Sequence, residues 1–171
     1  MMSPKPDLIL DLAGVVATNF SPFFWEALAS KYNIPKKKLH NFKNDVRYDL
    51  WTGQLEEREF WYKMGEEFCI PLKETKQLLL SFIHPLPASI EIRNWSEYAN
   101  IHILSNQRVE WVEPILRPIK GYLKSLTISS EAGCCKPQPE IYAKVKMELK
   151  SKNILYVDDQ EKNFNEARTL G

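Results

Sequence analysis

The sequence predicts an α/β fold, a doubly wound parallel sheet with a small block of α-helices inserted after its first strand. One observation is that short apolar runs and amphipathic segments alternate after residue 86, and this alternation is typical of parallel sheets covered by helices on both faces. A second observation is that residues 20–84 contain helical patterns and no strand pattern. The helical stretch therefore interrupts the alternation and is not expected to contribute to the sheet.

Size and charge limit the classes of function. The 171 residues are 44% hydrophobic and carry 23 basic and 22 acidic side chains. This length suits one domain or a core with a small insertion, and the balanced charge gives no reason to expect a nucleic-acid or membrane partner. No apolar run approaches the ~18 residues that span a bilayer. The three cysteines indicate neither a disulfide framework nor a zinc site, so we expect a cytoplasmic protein.

The first strand and the inserted helices are predicted from residue type and spacing. Asp7–Val16 is short and rich in Leu, Ile and Val, as in a buried strand. Ser21 followed by Pro22 is a favourable helix start. Apolar residues four positions apart predict the next helices, in the sets Phe42, Val46, Leu50 and Phe60, Met64, Phe68, with a further segment from Leu72 to Phe82. Prolines predict a linker over residues 84–87.

Beyond the linker, strands and helices are predicted in turn. The strands cover residues 101–104, 126–129 and 154–157, and the helices cover residues 90–98, 109–116, 139–149 and 163–170. Pro114 or Pro118 is expected to bend or end the second of these helices. Gly171 fits the C-cap of the last one.

Carboxylates accompany two of the predicted strands. Asp11 interrupts the first apolar run, and Asp158 and Asp159 follow the last strand. A buried carboxylate is costly unless it is paired or bound to a cation, and adjacent carboxylates repel each other. Asp11 alone also fits a turn cap, and Asp159 alone also fits a helix cap. Together the three favour a Mg²⁺ site, because Mg²⁺ prefers oxygen ligands.

A hydroxyl and a lysine would complete a phosphate site. Ser105 and Asn106 close a strand and precede a helix, where a hydroxyl and free backbone N–H groups can bind an anion, although both residues are also common N-caps. Lys136 lies between Gly133 and a helix entry at Pro137-Gln138-Pro139. There its charge can either contact a phosphate or remain solvated.

In this order the patterns DxxGV, SN, KPxPxIY and VDDxxxN, which span nearly the whole chain, resemble the motifs of the haloacid dehalogenase (HAD) superfamily of hydrolases. The helices between the first two motifs resemble the helical cap of that family. Within them, Trp51-Thr52-Gly53 and Glu59-Phe60-Trp61 resemble caps of its sugar-phosphatase-like branch.

The resemblance implies a division into domains. Residues 1–18 and 86–171 would form a HAD-like, Rossmann-like α/β core, and residues 19–85 would form the α-helical cap. Members of the family usually continue with one more strand at the sheet edge, and we expect that strand to be missing after Gly171.

The resemblance also assigns a nucleophile and a metal site. Asp11 would attack the substrate and form an aspartyl-phosphate. Mg²⁺ would be held by Asp11, the backbone carbonyl of Ala13 and Asp158, with Asp159 in support.

The remaining motif residues would bind the phosphate of a small phosphorylated metabolite. Ser105 and the backbone of Asn106 would hold its oxygens, and Lys136 would neutralise charge on the phosphate and on the nucleophile. These roles agree with the chemistry expected of the residue types, which combine covalent catalysis with electrostatic stabilisation.

Ala13 departs from the phosphatase pattern of the family, in which a second aspartate protonates the leaving group and then activates water. Alanine transfers no proton, and such a loss typically costs about 10²–10⁴ in rate. One interpretation is a weakened phosphohydrolase for substrates with easily departing groups, such as anomeric sugar, acyl or aryl phosphates. Another is a catalytically weak module that binds a phosphorylated ligand or a protein. A third is a phosphonatase-like C–P hydrolase, whose branch carries alanine here and needs a cap lysine.

Overall fold

The computed structural model describes residues 4–170, so the predicted C-cap Gly171 lies outside the described residues. One sheet holds four parallel strands in the order β3-β2-β1-β4. The strands are β1 (Asp7–Leu10), β2 (Asn100–Ser105), β3 (Leu123–Ile128) and β4 (Ile154–Val157). Strand β1 pairs with both β2 and β4, with Leu10 opposite Ile103 and Val157. The first strand therefore lies inside the sheet, and the predicted α/β architecture is confirmed.

Helices lie in the connections between the strands and after β4. Between β1 and β2 lie α1 (Phe20–Tyr32), α2 (Lys36–Thr52), α3 (Glu57–Phe68), α4 (Leu72–Leu80) and α5 (Pro87–Trp95). The later helices are α6 (Val109–Leu116), α7 (Ser129–Ala132), α8 (Pro139–Lys146) and α9 (Phe164–Ala167). Within the described stretch 20–84 no strand is found, as the sequence predicts. In the described part of the chain, none of these helices has the length and apolar character to cross a membrane.

Several element boundaries differ from the prediction. The helix predicted over residues 90–98 is α5 at Pro87–Trp95, and the helix predicted over residues 139–149 ends at Lys146. Strand β1 ends at Leu10 and not at residue 16, because the chain turns tightly and the Leu12 carbonyl accepts hydrogen bonds from the amides of residues 15–17. Strand β3 begins three residues before the predicted start at Leu126, since its polar residues hide the strand pattern. The predicted helix 163–170 is a single helical turn, α9, flanked by 3₁₀ turns.

Both faces of the sheet are covered. Leu10 packs into a large apolar cluster that includes Phe20 and Trp111. Its neighbour Ile9 packs into a second cluster with Ile141. Successive strand side chains point to opposite faces, so the two clusters lie on opposite sides of β1. The large cluster extends into α1–α4 and joins those helices to the sheet.

The chain leaves and re-enters the sheet region at adjacent points. The Thr18 amide donates a hydrogen bond to the His84 carbonyl at 2.9 Å, and the Leu86 amide donates to the Val16 carbonyl at 2.9 Å. The two connections to the α1–α4 helices therefore run side by side.

A polar network closes the end of the sheet away from residues 10–11. The Asp7 carboxylate accepts hydrogen bonds from the amides of Lys150 at 2.8 Å and Ser151 at 2.7 Å. His102 Nε2 lies 3.2 Å from the same carboxylate, and His102 Nδ1 lies 2.7 Å from Ser125 Oγ. Because a carboxylate only accepts, Nε2 is the donor to Asp7, and the serine hydroxyl can either donate to Nδ1 or accept from it. This network ties β1, β2 and β3 to the turn before β4.

Candidate active site

The carboxyl ends of the strands bring four predicted site residues together. Ser105 Oγ donates a hydrogen bond to Asp11 Oδ1 at 2.8 Å. Lys136 Nζ lies 3.1 Å from Asp11 Oδ2 and 2.5 Å from Asp158 Oδ2. Ligands of open α/β sheets bind at this edge, where connections diverge from a central strand. Asp11, Ser105 and Lys136 are each buried, so the cluster is shielded from bulk water.

The two carboxylates beside Lys136 differ in proton affinity. Burial raises the pKa of Asp11, and the nearby Lys136 ammonium only partly opposes this effect. Burial acts in the same direction on Asp158, but the charge and hydrogen bond of Lys136 outweigh it and hold the pKa of Asp158 below its ordinary value. Lys136 Nζ also lies closer to Asp158 Oδ2 than to Asp11 Oδ2.

Asn106 fixes the backbone that carries the lysine. Its Nδ2 donates to the Lys136 carbonyl at 2.8 Å, and the Lys136 amide donates to Asn106 Oδ1 at 2.7 Å. Helix α6 begins at Val109, as predicted, so a short bend separates Ser105 and Asn106 from its first turn. The side chain of Asn106 is thus occupied by Lys136, and phosphate binding through its backbone stays a prediction.

Asp158 is held by three further donors. Tyr156 Oη donates to Asp158 Oδ2 at 2.6 Å, and the Gln160 amide donates to Oδ1 at 2.8 Å. Asn163 Nδ2 lies 3.0 Å from Oδ1 and 2.9 Å from Oδ2. Asn163 is buried, and its own Oδ1 has no hydrogen-bond partner among residues 4–170. These contacts hold the Asp158 carboxylate in one orientation.

The acidic side chains offer a ligand set that fits Mg²⁺. Asp11, Asp158 and Asp159 can each contribute one carboxylate oxygen, and these oxygens lie within 4.8 Å of one another. An all-oxygen set with room for water is what Mg²⁺ prefers. Gly14 makes room for Asp159, because a Cβ at this position would overlap the Asp159 carboxylate, and its φ of 83° also favours glycine.

A cavity of about 260 Å³ opens over this cluster. Asp11, Ser105, Asn106 and Lys136 line it, and Ala13 contributes a methyl group and no ionisable side chain. Helix α2 contributes a further set of lining residues, Lys43, Arg47 and Trp51. The cavity is therefore enclosed by strand ends on one side and by a helix of the inserted block on the other.

Two features of this site do not follow from the sequence pattern. Asn163 was present as the last letter of a motif, but its contact with Asp158 was not anticipated. Lys43 and Arg47 were also missed, because the helical pattern identifies the apolar side of α2 and does not show what its polar side meets. Their four-residue spacing, continued by Trp51, is the signal that places them on one helix face.

Comparisons with solved structures show which proteins share this architecture. A HAD family enzyme from Bacteroides thetaiotaomicron is similar, with a TM-score of 0.77 and 19% identity, over 99% of this chain and 91% of that one. The same enzyme in complex with magnesium and inorganic phosphate gives a TM-score of 0.73 and 19% identity, over 98% and 91% of the two chains. A predicted HAD-like family hydrolase from Porphyromonas gingivalis gives 0.75 and 19%, over 98% and 88%.

No family model and no curated protein sequence matches the chain. The likeness therefore rests on structure, and it extends over nearly all of this chain and most of each neighbour. This protein has the fold of the HAD-like hydrolases.

Proposed function

We propose that this protein is a Mg²⁺-dependent phosphohydrolase that transfers the phosphoryl group of a small metabolite first to Asp11 and then to water. The environment of Asp11 supports this proposal best. One oxygen accepts from Ser105, the other faces Lys136, and further carboxylates lie close by. A fixed carboxylate nucleophile among cations suits phosphoryl transfer. The neighbour from Bacteroides thetaiotaomicron, in complex with magnesium and phosphate, supports the same ligand classes.

The reaction would proceed in two displacements at phosphorus. An oxygen of Asp11 attacks phosphorus, the bond to the leaving oxygen breaks, and the electron pair stays on that oxygen. Water then attacks the phosphorus of the aspartyl-phosphate, inorganic phosphate leaves, and the Asp11 carboxylate is restored. Lys136, Ser105 and the Asn106 backbone hold the phosphoryl oxygens while charge moves across them.

The acidic cluster would hold the metal. Asp11, Asp158 and the Ala13 carbonyl would bind Mg²⁺, with Asp159 in support. Bound Mg²⁺ would offset the negative charge shared by the phosphate and the carboxylates.

Ala13 limits which substrates would react quickly. A methyl group gives no proton to a leaving alkoxide, so substrates whose leaving group departs unprotonated are favoured. Anomeric sugar phosphates, acyl phosphates and aryl phosphates meet this requirement. We further propose that residues 19–85 act as the cap of a core formed by residues 1–18 and 86–171, as in the sugar-phosphatase-like branch.

Phosphate release tests this function directly. We expect release from an aryl phosphate and from sugar 1-phosphates in Mg²⁺, and its loss in excess chelator and in the Asp11→Asn variant. Asp45→Asn, which alters an exposed aspartate of α2, should retain wild-type rates. Release that survives in Asp11→Asn would refute the aspartyl-phosphate route. Tight phosphate binding without any release would instead favour the ligand-binding module.

One observation favours a second candidate, the phosphonatase-like C–P hydrolase. Lys43 lines the cavity, and its burial together with the nearby Arg47 lowers the pKa of its amine. An unprotonated lysine amine can condense with the aldehyde of a phosphonate and release water. Borohydride should then trap a stable adduct with an aldehyde phosphonate in the wild type and not in Lys43→Met. No adduct in the wild type would eliminate this candidate.

A further inference from the structure

Helix α2 presents three side chains to the cavity that contains Asp11. Lys43, Arg47 and Trp51 follow one another at four-residue intervals, so they share one helix face, and all three line the cavity. Because α2 lies outside the sheet, this face meets the part of a bound molecule that extends away from the strand ends.

The lining of the cavity carries an excess of positive charge. Asp11 is its one carboxylate among the described residues, against four cationic side chains, namely Lys43, Arg47, Lys136 and Lys162. The charge of Lys136 is already balanced by Asp11 and Asp158. The lining therefore leaves the cations of α2 without a balancing carboxylate.

Many other cationic side chains of the same helices are paired with a carboxylate, unlike Lys43 and Arg47. Five lysines of α1–α4 form ion pairs with glutamates, namely Lys31, Lys36, Lys38, Lys63 and Lys76. Within residues 4–170, Lys43 and Arg47 have no ion pair and instead lie over aromatic rings. Lys43 Nζ is 5.9 Å from the centre of the Trp25 ring, and Arg47 Cζ is 5.4 Å from that of Trp51. Such stacking orients the cations and leaves their N–H donors available.

The pair also carries an electrostatic cost that an anion would remove. Like charges one helical turn apart repel each other. Burial and the neighbouring Arg47 both lower the pKa of Lys43. An anionic group between the two side chains would relieve this repulsion.

We propose that Lys43 and Arg47 bind a second anionic group of the substrate, a carboxylate or a phosphate, while the reacting phosphoryl group lies at Asp11. This assignment rests on the proposed phosphohydrolase function and specifies its substrate class. Arginine can bind either anion through two parallel N–H donors, and lysine adds a compact charge. Trp51 supplies apolar surface for the carbon skeleton.

Three sugar phosphates that differ at one carbon test the assignment. They are a hexose 1-phosphate, the corresponding hexuronic acid 1-phosphate and the hexose 1,6-bisphosphate, which carry a hydroxyl, a carboxylate and a phosphate at carbon 6. We expect a higher kcat/KM for one or both doubly anionic substrates. Lys43→Gln and Arg47→Gln should each lower the ratio of that value to the kcat/KM of the hexose 1-phosphate about tenfold or more. Comparing kcat/KM for the hexuronic acid 1-phosphate and the hexose 1,6-bisphosphate shows whether the site prefers a carboxylate or a phosphate.

Lys37→Gln is the matched control, because Lys37 is an exposed lysine of the same helix outside the cavity lining. Its kinetics should match those of the wild type for all three substrates. An equal loss on all three substrates in Arg47→Gln would overturn the proposal, since the arginine would then serve the reacting phosphoryl group. An absence of any loss would overturn it as well.

Calorimetric binding to the Asp11→Asn protein separates this proposal from the proposed reaction. Hexose 1,6-bisphosphate should bind more tightly than hexose 1-phosphate, and the difference should disappear when Arg47→Gln is added. If no substrate is hydrolysed but this difference is found, the phosphohydrolase proposal fails and the anion site stands. If the two ligands bind equally or neither binds, the anion site is refuted.

Discussion

Ala13 lines the cavity with a methyl group, and under the proposed function its position is the one expected to carry the proton donor for a leaving alkoxide. If a missing proton donor is what limits the enzyme, Ala13→Asp should raise the turnover of alkyl phosphates at least tenfold, since general acid–base catalysis contributes about 10²–10⁴. The measurement is kcat for an alkyl phosphate and an aryl phosphate, with the smaller gain on the aryl ester. Ala13→Asn is the control for size and polarity, and an equal gain in that variant would contradict the explanation.

Asn163 acts on the acidic cluster through Asp158, which receives two of its N–H contacts. Removing such a positioning group typically weakens metal binding by about 10- to 100-fold. We therefore expect Asn163→Ala to need a correspondingly higher Mg²⁺ concentration for half-maximal phosphate release. Asn165→Ala, on an exposed neighbour, should not shift the Mg²⁺ titration. Unchanged Mg²⁺ affinity in Asn163→Ala would mean that the other donors hold Asp158 without it.

Helix α2 supplies three residues of the cavity lining, and it is attached to the core at its end. Arg108 Nη1 donates to the Leu55 carbonyl at 2.7 Å, just beyond α2. Gly53, which ends the helix, has a φ of 78° and lies so close to Ser130 that a Cβ would overlap the Ser130 carbonyl oxygen. The end of α2 is therefore held against α7.

Gly53→Ala should consequently lower the free energy of unfolding by about 2 kcal/mol or more, since a left-handed alanine and a steric overlap both cost energy. Two other glycines separate these causes. Gly133→Ala has a positive φ but open space, and Gly121→Ala has open space without the unusual φ. Denaturant unfolding should rank the loss as Gly53→Ala, then Gly133→Ala, then Gly121→Ala. A loss no greater than that of Gly133→Ala would mean that α2 can move away from Ser130.

Elements with strong apolar periodicity could be predicted from the sequence, and elements that depend on tertiary contacts could not. Apolar runs ending in Asp11, Ser105 and Asp158 indicated which strand ends meet, because carboxyl ends of parallel strands share one edge. The sequence pattern predicts the start of β3 three residues too far along the chain, since Lys124 and Ser125 break its apolar pattern. The contact of α2 with the cavity cannot be predicted from the sequence, because the direction in which its polar face points depends on how the helix packs against the rest of the protein.

At the scale of the whole molecule, the network around Asp7 links the sheet to a distant segment of the chain. Burial raises the pKa of Asp7, but hydrogen bonds from the Ser151 amide and other donors more than offset this, so its pKa lies below the ordinary value. The folded state therefore releases this proton more readily than the unfolded chain. Stability from ionised Asp7 is complete above the unfolded pKa and declines as pH falls below it.

Asp7→Asn should thus lower the free energy of unfolding at neutral pH by about 2 kcal/mol, because charged hydrogen bonds are lost and donors are left unpaired. Its difference from the wild type should shrink below about pH 4, where the unfolded aspartate becomes protonated. Urea titrations over this range measure both effects. Asp45→Asn, on the surface of α2, should show neither. A difference that stays constant with pH would show that packing and not charge is responsible.

The hydrogen bonds that join Thr18 to His84 and Leu86 to Val16 have a consequence for the evolution of this protein. They hold the two ends of the helical segment next to each other, so the whole segment is attached to the sheet in the way that a single long loop would be. Closing a loop costs little more as it lengthens, and such sites tolerate insertion of independent units. Helical blocks of different length could therefore join the sheet at these points, provided that they reproduce the apolar packing that joins α1–α4 to it.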